Sequence, residues 1–599
     1  MNCFDSLGLT QWVLEPTFPT SGNVLDLVLT TDSERIGYVR VLAPLPSCTD
    51  DPLMVGHCPV VFSYVSQTLP AREDVSSRIL WHKGAFNEIS AGLAALDWDF
   101  EFMDSLVQEN YDLLCRIVGD LVERYVPVRR GKPAPWQTRP PGWLLRQRTE
   151  AWDQVKRTRS LHGRRHHFTV EVTRQFNRIN HQYRNCHLLS QAEYEAGLIQ
   201  QIKTAPKLFH AYIRNKKVDP PSVGPLLTDA CDLIENPKEM IELLASAFSD
   251  VFVADVPQSP APTAVLQSGM PEITISVDSV KSVLMSLDSN SSMGPDGIHP
   301  VLLKTCCEQL KYPLFIIFSK SLAEGVLPVQ WSHSHVVPIY KAKSRYIHLN
   351  YRPVSLTSVC CKSLERIIAR QLMTFLEENG ILSDNQFGFR HGRSTEDQLF
   401  LTYCDVVKWF DAGSVVDVVL LDYSKAFDVI CHIILLQMLE NIGLTPSLVQ
   451  WIKAFLTGCT MTVCCGGEAS DPRSVTSGVP QGSVLGPILF LIYVNAITEG
   501  ISSGFKASAD DYKIYLHYPR DRVLSITDNV ARLQADLNRI HSVGESWNLK
   551  LNIDKCVVMR FHRGGFDWTP LGPLALYHLK GVPLRIVESH KDLGIWVES

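Results

Sequence analysis

The sequence has neither a long uninterrupted apolar run nor the pattern of a secretory leader. Its longest apolar stretch, at 484–494, is broken by Gly486 and Pro487 and is too short to cross a bilayer. The first ten residues, MNCFDSLGLT, lack the basic and apolar regions of a signal peptide. We therefore expect an intracellular protein with no membrane partner, and the sequence does not distinguish nucleus from cytoplasm.

Cysteine is present but lacks the spacing of a zinc finger. None of the 16 cysteines belongs to two closely spaced pairs with His or Cys partners. Adjacent pairs occur at 306/307, 360/361 and 464/465. In an intracellular protein these residues are expected to be reduced, buried thiols.

The composition excludes a disordered chain and favours several folded domains. Of the 599 residues, 45% are hydrophobic and 20% are charged, as in globular proteins. Single cores stop growing near about 250–300 residues, so one core cannot accommodate this length. The sequence shows no internal repeat.

Positive charge is concentrated in one segment. Residues 124–217 contain 20 Lys and Arg against 5 Asp and Glu, although the whole chain has a formal net charge of −6. Trp143, Trp152 and other aromatic residues are interleaved with the cations. Cations suit phosphates and aromatic faces suit bases, so this helical segment is a candidate RNA-binding region. The alternative is a solvated basic helix pair whose aromatic residues pack in a core.

Hydrophobic periodicity and turn residues predict the elements on either side of this segment. Residues 66–276 are predicted as a helical connecting region with Pro-rich linkers. The expected helices are 100–126, 237–252, 277–287, 301–322, 361–378 and 395–410. The expected strands are 24–29, 60–62, 336–341, 351–356 and 415–421.

Two adjacent carboxylates, Asp510 and Asp511, lie between β-prone flanks at 501–505 and 512–516. This pattern predicts a tight hairpin with both acids at its tip. Neighbouring carboxylates repel each other unless a cation lies between them, which points to a hard divalent metal. Taken alone, the pair is more often a solvated turn than a metal site.

A third carboxylate and a glycine-rich loop occur upstream. Asp422 follows an apolar strand, at a position where sites form in mixed sheets, although a helix cap would also suit it. The loop SGVPQGSVLGP at 477–487 lets the backbone approach a ligand, and Gln481 offers a donor and an acceptor. If one sheet unites Asp422 with Asp510 and Asp511, they could bind two divalent ions about 4 Å apart.

The order and wording of these blocks resemble the reverse transcriptase of non-LTR (LINE-like) retrotransposons. The matching blocks are GPDGIHP at 294–300, NYRPVSLTS at 350–358, QFGFR at 386–390, LDYSKAFD at 421–428, SGVPQGSVLGPILF at 477–490, ADD at 509–511, LNIDKC at 551–556 and HKDLGI at 590–595. The resemblance implies an α/β (α+β) right-hand polymerase fold with a mixed or antiparallel palm sheet. Its fingers would span 277–410 and its palm 411–599.

The resemblance also implies roles for individual residues. The family is an RNA-directed DNA polymerase that uses an RNA template, a DNA primer, deoxynucleoside triphosphates and Mg²⁺ or Mn²⁺. By this resemblance, Asp422, Asp510 and Asp511 would bind the metals and act in catalysis, and Phe427 would exclude a 2′-hydroxyl. Gln481 and Gly482 would line the nucleotide and template pocket, and Lys341 and Arg352 would contact the triphosphate. Lys555, on a predicted strand, would protonate the pyrophosphate.

Residues 1–65 are similar to the last strands of the endonuclease domain in the same polyproteins. Asp26 and His57 match two active-site positions of that domain, whereas Gly56 stands where the family has Asp. The resemblance implies a β-rich endonuclease remnant without nuclease activity. An unrelated hairpin with a lone histidine is the alternative.

Several positions depart from the family pattern. Ser508 replaces the aromatic residue before Ala-Asp-Asp, Ala496 replaces an Asp after Asn495, and Cys459 stands where Arg is common. The chain also stops after the HKDLGI block, so we expect a truncated protein without the thumb. The alternatives to an active polymerase are a catalytically impaired relic that only binds nucleic acid and a maturase-like RNA-binding partner.

Overall fold

The computed structural model describes four strand segments within residues 1–77 and most of the chain thereafter. The described residues are 10–11, 29–30, 36–41, 60–64, 78–129, 142–162, 166–200, 223–228, 232–253, 269–341, 343–519, 523–562 and 577–599. The chain divides into two compact units, 1–78 with 130–132, and 79–129 with 133–599.

The secondary structure alternates between helices and strands. The strands are β1 Thr10–Gln11, β2 Leu29–Thr30, β3 Ile36–Val41, β4 Val60–Tyr64, β5 Arg78–Ile79, β6 Val128–Arg129, β7 Leu226–Leu227, β8 Leu233–Ile234, β9 His333–Tyr340, β10 Tyr351–Leu356, β11 Ser414–Leu421, β12 Thr460–Cys465, β13 Glu468–Ala469, β14 Arg473–Ser474, β15 Gly504–Ser508, β16 Asp511–Pro519, β17 Val557–Phe561, β18 His578–Leu579, β19 Val582–Pro583, β20 Arg585–Val587, β21 Ser589–Asp592 and β22 Ile595–Glu598. The helices are α1 Phe86–Ala94, α2 Trp98–Glu101, α3 Val107–Tyr125, α4 Gly142–His162, α5 His167–Gln200, α6 Pro237–Ser249, α7 Val277–Met285, α8 Pro300–Thr305, α9 Cys307–Glu324, α10 Val329–Ser332, α11 Val359–Glu378, α12 Thr395–Asp411, α13 His432–Asn441, α14 Pro446–Leu456, α15 Gly486–Asn495 and α16 Val523–Ser546.

The first unit is described only through its strands. β3 pairs with β4 antiparallel and β1 pairs with β2, so the strand predicted at 60–62 is confirmed. Most of the strand predicted at 24–29 lies outside the described residues, as do Asp26, Gly56 and His57. The endonuclease resemblance therefore stays a prediction.

In the second unit, α1 and α3 pack into the same core as α9. The prediction of one helix over 100–126 is wrong in part, because α3 begins only at Val107 and Leu106 is exposed at its N-cap. Tyr111 is fully buried, and its hydroxyl donates to Asp296 of the GPDG loop at 2.6 Å. The helix predicted over 301–322 is interrupted at Cys306 and forms α8 and α9.

Helices α4 and α5 pack together as an antiparallel hairpin. Trp152 contacts Phe176 with ring centroids 4.9 Å apart, and the Arg148 guanidinium lies 4.8 Å from the centre of the Tyr183 ring. Trp143 and Phe168 remain exposed on the outside. The aromatic residues of the basic segment thus divide between an internal contact and the surface.

The fingers strands predicted at 336–341 and 351–356 form one sheet with the order β10-β9-β12-β13. β9 and β10 are antiparallel, whereas β12 runs parallel to β9. Helix α6 covers this sheet with the buried side chains of Ile241, Leu244 and Phe248. The helix and strands expected here are therefore present.

The five-stranded sheet in the segment predicted as the palm, called the palm sheet below, has the order β15-β16-β11-β17-β20. Its pairings are antiparallel except for the parallel pair β17–β20, which confirms a mixed sheet. The apolar, β-branched strand β11 is central, as a buried position requires. Its one carboxylate, Asp417, is compensated by Arg560 at 2.6 and 2.9 Å and by the hydroxyls of Tyr518 and Tyr577.

The remaining predictions at this level concern cysteine, the final hairpin and membranes. Cys306, Cys307, Cys360 and Cys361 are buried thiols, as expected, whereas Cys464 and Cys465 are only partly buried and Cys404 is exposed, so the prediction of burial is wrong for these three. The closing hairpin predicted around HKDLGI is present as β21 and β22. Across the described part of the chain, every helix is too short or too polar to span a bilayer.

Candidate active site

The hairpin of β15 and β16 presents the Asp510–Asp511 pair at its tip, as predicted. Ser508 pairs with Asp511, which leaves Ala509 and Asp510 as a two-residue turn. Ala509 adopts a left-handed φ of 57°, a value that tight hairpin turns require. Asp510 is therefore the second residue of the turn, and Asp511 is the first residue of β16.

Strand register brings Asp422 to the same place. Leu421, the last residue of β11, pairs with Tyr512 of β16. Extending this antiparallel register by one residue places Asp422 opposite Asp511. The three carboxylates that lie far apart in sequence therefore meet at one edge of the palm sheet, and all three line one cleft.

The electrostatics of the three acids indicate mutual repulsion. The pKa of Asp511 is raised to about 6, mainly by burial, with the charges of Asp510 and Asp422 contributing in the same direction. Burial also raises the pKa of Asp510, with Asp422 adding to the effect and Arg352 and Lys341 opposing it. A hard divalent cation would relieve this repulsion, so the donor set fits Mg²⁺ or Mn²⁺. Within the described residues, however, three acidic, His or Cys side chains nowhere converge closely enough to enclose an ion.

Lys555 lies against the first of these acids. Its Nζ is 3.0 Å from Oδ2 of Asp422, and the surrounding chain is fixed by a hydrogen bond from the Asn552 N–H to the Asp422 carbonyl. The prediction that Lys555 lies on a strand is wrong: it ends a turn before β17. A turn position lets its side chain reach the edge of the neighbouring strand β11.

Two further predicted cations face the cleft from the fingers sheet. Lys341 follows β9 and Arg352 lies on β10, and both line the cleft with Asp422 and Asp510. Burial lowers the pKa of Lys341, and the positive charges of Arg352 and Lys555 lower it further. Lys341, Arg352 and Lys555 thus share a cleft of about 940 Å³ with the three carboxylates, and Lys425 and Asp428 also line it.

Phe427 forms an apolar wall of this cleft. Its ring stacks on Phe490 with centroids 4.0 Å apart and meets Phe389 edge-on at 6.1 Å. Phe389 has a left-handed φ of 54° and is more than half exposed. Phe427 and Phe389 therefore contribute two nearly perpendicular rings to the cleft that Asp422 also lines.

The loop containing Gln481 and Gly482 joins the palm to the fingers sheet. The side-chain amide of Gln481 donates to Oδ1 of Asp428 at 2.7 Å, and the backbone carbonyl of Gln481 accepts the N–H of Ser355 at 2.9 Å. Gly482 has a φ of 115°, and a Cβ there would lie 2.6 Å from the Ser355 carbonyl oxygen. Only glycine permits this close approach of the two backbones.

Sequence reasoning missed the role of Gln386, although the QFGFR block was recognised. The Gln386 Oε1 accepts the N–H of Ala509 at 2.9 Å, directly beneath the turn. Next to it, the Phe387 N–H donates to the Ala507 carbonyl, so this segment runs along β15. The only signal in the sequence was an amide residue two positions before a glycine, in a motif without an assigned role.

The departures from the family pattern have defined surroundings. Ser508 is buried in β15, and the turn after it is fastened by Gln386. Asn495 bonds to the backbone of Ser383 and Ile381 at 2.7 and 2.9 Å. Cys459 lines the cleft. The described structure thus supplies supporting contacts at Ser508 and Asn495.

Comparison with known proteins gives one family. Residues 340–594 match the family model described as Reverse transcriptase (RNA-dependent DNA polymerase). The probable RNA-directed DNA polymerase from transposon BS of Drosophila melanogaster is 28% identical over 340 residues, which are 56% of this chain and 37% of that protein. The RNA-directed DNA polymerase from mobile element jockey of the same species is 26% identical over 337 residues, 55% of this chain and 36% of the relative.

A shorter match reaches higher identity. The probable RNA-directed DNA polymerase from transposon X-element of Drosophila melanogaster is 31% identical over 229 residues, 38% of this chain and 25% of the relative. The matches with the BS and jockey proteins span about a third of each relative's length. Residues 340–594 therefore form a domain that matches the reverse transcriptase family, and the relatives named above are polymerases of Drosophila transposons and mobile elements.

Proposed function

We propose that this chain extends a DNA 3′ end with deoxynucleotides on an RNA template, by two-metal nucleotidyl transfer. The observation that carries this proposal is the register of β11 and β16, which sets Asp422 opposite Asp511 beside the Asp510 turn. Hard oxygen donors at that spot, in a cleft with Lys341 and Arg352, suit a triphosphate and a primer end.

The reaction forms one phosphorus–oxygen bond and breaks another, and the proton of the primer 3′-hydroxyl passes to solvent water. The oxygen of the primer 3′-hydroxyl attacks the α-phosphorus, and the bond from that phosphorus to the bridging oxygen of pyrophosphate breaks. Divalent ions bound by Asp422, Asp510 and Asp511 would activate the attacking hydroxyl and stabilise charge on the leaving oxygen. Lys555 donates a proton to the pyrophosphate, which requires its Nζ to leave Asp422.

The remaining residues orient the substrate. Lys341 and Arg352 contact the triphosphate from the fingers side, where Arg can bind phosphate through two parallel hydrogen bonds. Phe427 lies beneath the ribose and excludes a 2′-hydroxyl. Gln481 and Gly482 line the nucleotide and template pocket, because their backbone ties the palm loop to β10 at Ser355.

The direct test is primer extension on poly(rA) with an oligo(dT) primer and Mg²⁺. Wild-type protein is expected to extend the primer, and Asp510→Asn to lose extension because a metal ligand is gone. Asp471→Asn, at a highly exposed carboxylate outside the cleft, is the matched control. Equal extension by wild type and Asp510→Asn would overturn the proposal. A folded wild-type protein that does not extend the primer would support the alternative of a catalytically impaired relic.

Residues 1–65 are proposed to be an endonuclease remnant, because Asp26 and His57 match active-site positions while Gly56 does not. A plasmid-nicking assay, which measures cleavage of supercoiled DNA by wild type and His57→Ala, tests this. We expect neither protein to cleave; cleavage by wild type alone would contradict the loss of nuclease activity.

A second candidate function is RNA binding by the α4–α5 hairpin. Arg146, Arg157 and Arg178 are exposed on it, and the side chains of Trp143 and Phe168 are exposed nearby in the sequence. Cations and exposed rings together suit a single-stranded nucleic acid. By contrast, the ion pairs on this hairpin, such as Lys156 with Asp153, are exposed and contribute little to stability.

This function predicts a steep salt dependence. Reversing Arg146, Arg157 and Arg178 to Glu should weaken binding of oligo(U) and lower the slope of log affinity against log salt by about 2. Reversal of the exposed Lys83, Arg370 and Lys453 is the matched control. Equal slopes for both triple variants would contradict a role for the hairpin, and oligo(dT) shows whether RNA is preferred.

A further inference from the structure

A buried ion pair lies behind the hairpin that presents Asp510 and Asp511. The Nζ of Lys513 on β16 is 2.8 Å from Oδ2 of Asp592 on β21. Their side chains are 1% and 4% exposed. This pair therefore joins the strand that begins with Asp511 to the closing hairpin, about eighty residues later in the chain.

Helix α12 completes the surroundings of the pair. Gln398 accepts a hydrogen bond from the Lys513 ammonium at 2.8 Å, and the Tyr403 hydroxyl donates to Oδ2 of Asp592 at 2.8 Å. Burying two charges costs desolvation, and well-packed apolar side chains often stabilise a fold as well or better. A contribution to stability alone therefore does not account for this pair, and the groups near its two charges indicate another role.

The pair faces Asp511. Successive side chains of a strand alternate between faces, so Asp511 and Lys513 lie on the same face of β16. Both charges act on the Asp511 carboxyl group: Asp592 raises its pKa and Lys513 lowers it. A lysine released from Asp592 would therefore have Asp511 as a carboxylate partner two residues away on its own strand.

We propose that Asp592 is a positioning residue, which holds the Lys513 ammonium in a buried pair and so keeps that cation off Asp511. The Asp511 carboxylate is then left to a divalent ion. Asp592 does not contact the substrate; it acts through Lys513, with Gln398 and Tyr403 fixing the geometry of the pair. This inference rests on the proposed metal-binding role of Asp511.

The test measures Mn²⁺ binding to the full chain by electron paramagnetic resonance, which needs no catalytic turnover. Asp592→Asn removes the charge while conserving shape, and we expect the half-saturating Mn²⁺ concentration to rise roughly tenfold, as for other groups that support metal ligands. The double variant Lys513→Met/Asp592→Leu removes the competing cation and should restore binding to near the wild-type value.

A second buried pair in the same sheet provides the matched control. Asp417 pairs with Arg560, with side chains 0% and 7% exposed, and Asp417→Asn also removes one charge of a buried pair. It should lower the melting temperature without changing Mn²⁺ affinity. Wild-type affinity in Asp592→Asn, or an equal loss in Asp417→Asn, would overturn the inference.

The same experiment separates this inference from the proposed function. If wild type and Asp510→Asn bind Mn²⁺ equally, the metal site is absent, and the proposed function and the inference both fail. If Asp510→Asn loses Mn²⁺ while Asp592→Asn binds like wild type, only the inference fails. Failure of the double variant to recover, with its fold intact by circular dichroism, would also overturn it.

Discussion

The side chain of Gln386 accepts the backbone N–H of Ala509 at 2.9 Å and thereby fastens the turn that presents Asp510. Its Oε1 also accepts the N–H of Gly388, so one oxygen aligns two backbone segments. Gln386 is buried, so the loss of its side-chain oxygen would leave the Ala509 N–H without a hydrogen-bond partner and without access to water. The turn that presents Asp510 is therefore held by the side-chain amide of Gln386 and not only by the residue before the acids.

Replacing Gln386 with Met should separate this contact from side-chain volume. We expect a loss of about 1–3 kcal/mol in the free energy of unfolding, because a buried N–H is left unpaired. Primer extension should fall as well, since Asp510 loses its fixed turn. Urea denaturation and extension rates check both, with Gln154→Met on exposed α4 as control; unchanged rates would contradict a role in positioning.

Gly388 should tolerate no side chain. A Cβ at this position would collide with the backbone nitrogen of Ala509, because the QFG segment runs directly against the turn. Gly388→Ala is expected to weaken Mn²⁺ binding and extension. The control is Gly119→Ala in α3, where a Cβ meets open space and alanine should stabilise the helix by about 0.5–1 kcal/mol.

Phe427 should determine the choice between deoxyribose and ribose. Phe427→Val leaves space between the ring of Phe490 and the cleft, so a 2′-hydroxyl could be accommodated. We expect the preference for dTTP over UTP, expressed as the ratio of kcat/KM values, to fall on the order of ten- to a hundredfold. Phe389→Val is the comparison, and an equal loss of preference there would assign the selection to both rings.

Lys555 should affect the chemical step more than nucleotide binding. Lys555→Met removes the proton donor, and the expected loss in kcat is on the order of a hundredfold or more, with KM for the nucleotide little changed. Single-turnover extension measures this. Lys550→Met, at an exposed lysine that precedes the same turn, is the control, and a selective rise in KM would instead indicate a binding role for Lys555.

Glu365 should make stability depend on pH. It is fully buried, accepts the N–H groups of Val484 and Leu485 at 2.6 and 3.0 Å, and has a pKa raised mainly by burial. The folded state therefore keeps its proton at higher pH than the unfolded chain does. Between the two pKa values the free energy of unfolding falls as pH rises, by about 1.4 kcal/mol per pH unit.

Glu365→Gln removes this dependence while retaining one acceptor oxygen. Urea denaturation from acidic to neutral pH should give a flatter profile for this variant than for wild type. Glu378→Gln, at an exposed position of the same helix, should keep the wild-type slope. Parallel profiles for Glu365→Gln and wild type would contradict the assignment.

Local sequence determined much of the fold. The apolar strand at 415–421 and the fingers strands formed close to where periodicity placed them, because these patterns depend on neighbouring residues alone. The hairpin of the acid pair is also present, although its first strand, predicted at 501–505, forms at 504–508. Lys555 was placed wrongly on a strand, since a turn held by Asn552 and the Asp422 carbonyl overrides the local pattern.

The sequence by itself determined which residues this protein has for its chemistry: three aspartates, Lys341, Arg352, Phe427 and a glycine-rich loop, in the order of a reverse transcriptase. Only the tertiary structure decided how they meet. The register of β11 with β16 sets Asp422 opposite Asp511, Gln386 fastens the turn, and Asp592 binds Lys513. These contacts join residues far apart in the chain, so they depend on the packing of whole elements, which no local pattern encodes.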